Sequence, residues 1–183
     1  GKENICRNSR PLSSGLWIYM HSKREIITGF LSGIGITVTE GPVPANSFLP
    51  GLCIVNGTIV YDIAALRWPG DLLHEAGHIA TMPSSLRYLL NDALQESLSA
   101  PHAGEVEATA WAYAAIVHLG MSPSVLFHDE GYDGRSESLI MTYTHGVYPS
   151  CFGLSQAGMT LLGTEAELAV VPPYPHMIRW LRD

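Results

Sequence analysis

The sequence predicts an α+β fold that is mainly helical, with a small antiparallel sheet packed beside one helix. A hairpin signal, Asn56-Gly57 between two β-branched runs, is followed by stretches with apolar residues at helical spacing. Residues 71–80 combine that spacing with two histidines four residues apart. No repeat or linker divides the chain, so we expect residues 16–183 to form one domain after a flexible arm at residues 1–15.

The composition excludes several classes of protein. Of 183 residues, 46% are hydrophobic and 15% are charged, which favours a folded globular domain. The net charge of −7 argues against a nucleic-acid surface, because phosphate binding needs clustered Lys and Arg. The longest apolar run, residues 110–117, is too short for a membrane span. Three widely spaced cysteines form no Cys-x-x-Cys pair, so we expect a reducing, cytoplasmic location.

The first third of the chain is predicted to hold the sheet and short helices. Residues 16–31 carry apolar side chains that fit one or two short helices. β-branched alternation predicts a strand at residues 35–39. Asn-Gly accepts the positive φ angles of a type I′ turn, so it is expected to join strands at residues 53–55 and 58–61. A short helix is expected at residues 62–68.

Helices dominate the remainder of the predicted structure. Apolar residues three and four apart predict a helix at residues 85–98, and an Ala-rich stretch predicts another at residues 105–119, stopped by Gly120. Ser122-Pro123 is a typical helix start, with Ser as N-cap and Pro in the first turn. The other expected elements are a polar loop at residues 128–137 and helices at residues 154–162 and 177–181.

Residues 71–80 contain the pattern His-Glu-x-x-His, formed by His74, Glu75 and His78. Positions i and i+4 lie on the same face of a helix, so both imidazoles can bind one metal ion. Glu75 lies about 100° round the helix, where it flanks the metal and can accept a proton from a bound water. Asp71 is expected to cap this helix or to orient a ligand imidazole. The pattern indicates zinc hydrolase chemistry.

A third metal ligand is expected from elsewhere in the chain, because catalytic zinc commonly has three protein ligands and one open position. Glu105 and Glu107 begin a predicted helix and point to different sides of it. The face of Glu105 continues with Ala108 and Ala112, which allow a neighbouring helix to approach closely, whereas the face of Glu107 is typical of a half-exposed surface. We therefore predict Glu105, with Glu107 or a later His or Asp as alternatives.

The arrangement resembles a known group of enzymes. His-Glu-x-x-His on one helix, followed by Glu-x-x-Ala on another, is similar to the gluzincin group of zincin metallopeptidases. Within that group, residues 53–112 resemble the ImmA/IrrE-like peptidase domain, through Val55-Asn56 at a strand end, the histidine helix, and residues 105–112. The resemblance implies a zincin-like fold that binds one zinc ion per chain through His74, His78 and Glu105.

The same resemblance implies a metalloendopeptidase that acts on a peptide or protein substrate, with Glu75 as general base. The charge that develops on the carbonyl oxygen needs a donor besides the metal. We expect this donor in a polar stretch containing Gly146, with His145 as first choice and Tyr143 or Tyr148 as alternatives. A non-catalytic metal-binding or regulatory module is the alternative of a different class, and a non-peptide zinc hydrolase is a third possibility.

Overall fold

The computed structural model of the protein describes residues 14–92, 101–149 and 151–183. They form an α+β fold that is mainly helical, as predicted. In chain order the elements are α1 (Ser14–Gly33), β1 (Val38–Glu40), β2 (Leu52–Val55), β3 (Thr58–Tyr61), α2 (Asp71–Thr81), α3 (Pro101–His118), α4 (Ser136–Thr144), α5 (Cys151–Gln156) and α6 (Gly163–Ala169), with 3₁₀ turns at Arg87–Leu89, Pro123–Val125 and Tyr132–Gly134. Residues 1–13 of the predicted arm lie outside the described residues.

The sheet is mixed, with the strand order β1, β3, β2. β2 and β3 pair antiparallel through the Asn56-Gly57 turn, whose φ angles of 49° and 73° fit the predicted type I′ turn. β1 pairs parallel with β3, with Val38 opposite Ile59, so the prediction of an antiparallel sheet is wrong for β1. The second strand of the hairpin, not the first, lies beside β1. A strand pattern in the sequence carries no information about which neighbour a strand takes.

Two of the predicted helices are wrong, and a third is wrong over residues 85–91, because these backbone groups bond elsewhere. Residues 62–68 form a turn in which the Asp62 side chain accepts from Ala64 N. Residues 85–91 contain only a 3₁₀ turn, where Leu90 O accepts from the hairpin amide of Gly57; residues 93–98 lie outside the described part. Residues 177–181 are not helical, and Ile178 N donates to Met159 O.

Other boundaries differ by a few residues. The helix predicted at 154–162 is α5, which begins at Cys151 and ends at Gln156. The loop predicted at 128–137 includes a 3₁₀ turn and the start of α4. Ser122 caps the short 3₁₀ helix after α3 by accepting from Ser124 N, and Gly120 ends α3 with a φ of 63°, both as predicted.

The core is built around α3. Every residue from Ala110 to Ile116 is buried, because α1, α2, α5 and the last residues of the chain surround this helix. α2 packs on it through an apolar face that includes Leu73, Ala76 and Ala80, all fully buried. Gly77 of α2 lies directly against the backbone of Ala108, where an added Cβ would be 2.4 Å from Ala108 O. This contact sets the distance between the two segments that carry the candidate ligands.

The last residues of the chain form hydrogen bonds with both α2 and α3. Trp111 Nε1 donates to Trp180 O at 2.9 Å, and the Trp180 ring packs edge-on against both Trp111 and Phe30. Arg182 N donates to Ala80 O at 2.9 Å, so residue 182 satisfies a carbonyl at the end of α2. In the described part of the chain, no helix has the length and apolar character needed to cross a membrane.

Gly77→Ala should lower the free energy of unfolding by about 1–3 kcal/mol, because the new Cβ meets the Ala108 backbone and α2 must shift. Gly104→Ala is the matched control in α3. Its Cβ would meet no atom within 4 Å, so we expect it to raise stability by up to about 1 kcal/mol. Urea denaturation of both variants measures the difference, and two equally stable variants would contradict the close helix contact.

Candidate metal centre

The two histidines of α2 converge on one position. Their Nε2 atoms lie 3.3 Å apart, one helical turn from each other, and the ring planes meet at 80°. The side chains of His74 and His78 are 15% and 11% exposed, so the imidazoles lie at the edge of the core. Together with a Glu75 carboxylate oxygen, their ligand atoms lie within 4.8 Å of one another. These three side chains form a group that can hold a metal ion.

Glu105 of α3 faces both imidazoles. Its Oε2 lies 3.2 Å from His74 Nε2, and its Oε1 lies 3.2 Å from His78 Nε2. Hydrogen bonds from His74 and His78 hold the pKa of the Glu105 carboxyl well below its usual range. The Glu105 side chain is 56% exposed, so the group opens to solvent on this side. Glu105 lies one turn before Ala108 on the face that packs against α2.

The spacing of these atoms fits a small tetrahedral cation. Zinc binds imidazole nitrogen and carboxylate oxygen at about 2.0–2.2 Å, which puts neighbouring ligand atoms of a tetrahedron roughly 3.3–3.5 Å apart. The two Nε2 atoms lie 3.3 Å apart, and each lies 3.2 Å from one of the two Glu105 oxygens, which is close to this spacing. Two imidazoles and a carboxylate are also a donor set that zinc accepts. The residues present therefore fit a metal ion.

Glu75 is buried beside the histidines. It is 5% exposed, and its Oε2 has no hydrogen-bond partner among the described residues. Burial raises the pKa of Glu75 to about 7 against the opposing effect of His74, and Asp92 and Glu105 add smaller upward contributions. A carboxyl group with this proton affinity can hold or release a proton near neutral pH.

Tyr132 reaches the far side of His74 and is absent from the sequence-based predictions. Its hydroxyl lies 3.4 Å from His74 Nδ1, and its ring meets the imidazole edge-on at 5.9 Å. Burial raises the pKa of Tyr132 far above its usual value, so the phenol is neutral. Its φ of 58° is in the left-handed region, which is uncommon for an aromatic residue. The available sequence signal was an aromatic residue in an otherwise charged loop.

Asp71 does neither of the two tasks predicted for it. Gly70 is the N-cap of α2, and no side chain caps the helix. The Asp71 carboxylate instead accepts from His128 Nε2 at 2.8 Å, and both side chains are buried. His128 was predicted to lie in a polar loop. The structure places it under that loop, where its ring stacks on Trp68 with centroids 4.5 Å apart.

The other predicted residues lie away from this group. Glu107 points toward α5, where its carboxylate packs against Gly153 and not against the histidines. His145 is exposed at the C-terminal end of α4, and among the described residues no hydrogen bond or ring contact joins it to the metal-binding group. Tyr143 is buried and donates to Pro149 O, while Tyr148 packs on Tyr174. The structure therefore does not bring the predicted oxyanion donors to the site.

Comparisons of the chain with protein-family models, with characterised proteins and with solved structures gave no match. The resemblance to gluzincins and to the ImmA/IrrE-like domain therefore rests on the motif residues alone. The structure itself shows an α+β fold in which the His-Glu-x-x-His side chains lie within metal-binding distance of one another.

The buried Glu75 carboxyl should make the metal-free protein less stable as pH rises. Its pKa is about 7 in the fold and about 4.5 unfolded, so stability present below pH 4.5 is lost as pH rises through 7. Glu75→Gln removes this loss. Urea denaturation of chelator-treated protein should show the gain from Glu75→Gln to be about 2 kcal/mol larger at about pH 8 than at about pH 5. A gain that does not change with pH would contradict the burial of an ionisable carboxyl.

Proposed function

We propose that the protein is a zinc-dependent hydrolase that cleaves peptide bonds, with His74, His78 and Glu105 as zinc ligands and Glu75 as general base. One observation supports it above the others. The Nε2 atoms of His74 and His78 lie 3.3 Å apart, and each lies 3.2 Å from a different oxygen of Glu105. The buried carboxyl group of Glu75 belongs to the same group of side chains. The choice of peptide bonds rests on the resemblance to gluzincins, since the site chemistry alone also fits other hydrolysable bonds.

Glu105 is a better third ligand than Glu75. Both Glu105 oxygens lie 3.2 Å from a histidine Nε2, so the carboxylate spans the position on which the imidazoles converge. Glu75 adjoins His74 on α2, and its Oε2 has no hydrogen-bond partner among the described residues. Because successive helix residues point about 100° apart, its carboxylate flanks the imidazoles, where it can contact a water beside the metal.

Zinc bound here would lower the pKa of a water toward neutrality and polarise the substrate carbonyl. The buried Glu75 carboxylate takes up a proton from the attacking water and delivers it to the leaving amine. Its pKa of about 7 in the metal-free fold places it between acid and base at neutral pH. The exposed side of Glu105 gives a substrate access, while the core behind Glu75 excludes bulk water.

Glu105→Gln should release zinc, because the neutral amide is a poor zinc ligand. Glu107→Gln is the matched control, since Glu107 is two residues further along α3, on a different face, and packs against Gly153. Elemental analysis of both variants after equal zinc loading and dialysis gives the metal content. If Glu105→Gln retained zinc as well as Glu107→Gln does, another residue would have to be the third ligand.

Glu75→Gln should keep zinc and lose hydrolysis by about 10²–10⁴-fold, the usual contribution of a general base. A peptide-library cleavage assay followed by mass spectrometry, with zinc content measured on the same sample, separates the two effects. Unchanged hydrolysis in Glu75→Gln would refute the proposed mechanism. Zinc binding by wild type without any turnover, and unfolding on zinc removal, would instead favour a metal-binding module without catalysis.

A further inference from the structure

We propose that Tyr132 is a positioning residue for the metal centre, held in place by the buried pair of Asp71 and His128. Its hydroxyl lies 3.4 Å from His74 Nδ1. When Nε2 binds the metal, this hydroxyl would accept a hydrogen bond from the protonated Nδ1 and so fix which nitrogen of the imidazole faces the metal. The inference deepens the proposed function, because it rests on His74 as a zinc ligand. It adds a second layer of residues that neither the motif nor the resemblance contains.

The loop that carries Tyr132 is fastened at both ends. At its start, His128 donates from Nε2 to Asp71 Oδ1 at 2.8 Å and stacks on Trp68. At its end, the Ser136 hydroxyl donates to His128 O at 2.5 Å. Asp71, His128 and Ser136 are all buried, so water competes little for these bonds. Asp71 also lies one turn before His74 on α2. The same helix therefore carries the proposed ligand His74 and the residue that holds the Tyr132 loop in place.

The backbone between these fixed ends is held in an unfavourable conformation. Tyr132 and Asp133 have φ angles of 58° and 53°, in the left-handed region that non-glycine residues seldom adopt. Gly131 precedes them, and a Cβ there would lie 2.9 Å from His128 Cε1, so no side chain fits. The Tyr132 ring packs edge-on against Phe127 at 5.1 Å. Surrounding contacts therefore impose the conformation that brings the hydroxyl to His74.

The chemistry of imidazole explains why such a partner matters. Neutral imidazole carries one proton, and a nitrogen that binds a metal must lack it. When His74 Nε2 binds zinc, Nδ1 carries the proton and needs an acceptor. The neutral Tyr132 hydroxyl lies 3.4 Å away and provides an oxygen acceptor. Partners of this kind orient the ring, and their loss typically lowers metal affinity 10–100-fold.

Zinc titration against a competing chelator tests the inference, with Tyr132→Phe and Tyr174→Phe compared with wild type. Each variant removes one phenolic hydroxyl and keeps the ring. Tyr174 donates to Ala110 O at 2.8 Å, so its variant also loses a buried hydrogen bond, away from the ligands. We expect the zinc Kd to rise about 10–100-fold in Tyr132→Phe and to stay unchanged in Tyr174→Phe. An unchanged Kd in Tyr132→Phe overturns the inference.

A second measurement distinguishes positioning from loss of stability. In the zinc-loaded protein, the His74 Nδ1 proton should exchange with water faster in Tyr132→Phe, while the His78 imidazole proton is unaffected; ¹H–¹⁵N NMR reports both. Equal acceleration at both histidines, or at neither, overturns the inference. If wild type binds no zinc, the proposed function and this inference both fail. If wild type binds zinc but Tyr132→Phe binds it equally well, only this inference fails.

A double-mutant cycle tests whether the anchor acts through Tyr132. Asp71→Asn weakens the hydrogen bond to His128, so it should raise the zinc Kd in the wild-type background. The same substitution should have little further effect in the Tyr132→Phe background, because that variant lacks the hydroxyl that Asp71 helps to position. Independent, multiplicative effects of the two substitutions would contradict the link between the pair and Tyr132.

Discussion

The backbone contact between Gly77 of α2 and Ala108 of α3 is the constraint on which the rest of the structure depends. Glu105 lies one turn before Ala108, and His74 and His78 lie on either side of Gly77 along α2, so the contact fixes how far the carboxylate is from the imidazoles. If α2 and α3 were farther apart by the diameter of a methyl group, the Glu105 carboxylate would no longer reach both histidines.

The candidate centre concentrates acidic side chains, and one of them has a buried oxygen without a hydrogen-bond partner among the described residues. Asp71, Glu75 and Glu105 lie around two histidines, and Asp71, Asp92 and Glu105 each raise the pKa of Glu75. Asp71 is compensated by His128, and Glu105 by hydrogen bonds from the imidazoles. Glu75 has neither kind of partner for its Oε2 among the described residues. A divalent cation at the convergence of the ligand atoms would relieve this repulsion, which is a reason to expect the fold to be more stable with metal.

The sequence allowed the centre of the site to be predicted, because its signals are local. Helical periodicity puts His74 and His78 on one face, and small residues following Glu105 at helical spacing indicated a close helix contact on its face, which in the structure is the contact with α2. The hairpin was predictable for the same reason, since Asn56-Gly57 specifies its own turn.

What the sequence did not reveal depends on contacts between distant segments. The parallel pairing of β1, the non-helical course of residues 177–181 and the burial of His128 are each decided by partners far away in the chain. Tyr132 is the clearest case. Its place beside His74 results from a positive φ and from a buried hydrogen bond between Asp71 and His128, which are 57 residues apart in sequence. No local pattern encodes either.

The bonds from the last residues to the helix pair have a consequence for the order of events during synthesis. Both ligand-bearing helices leave the ribosome well before Trp180 and Arg182, which cover Trp111 and bond the end of α2. Until then Trp111 does not contact Trp180, and the carbonyl oxygen of Ala80 lacks the hydrogen bond from Arg182 N. The candidate metal centre therefore reaches its final packing only after translation has passed residue 182.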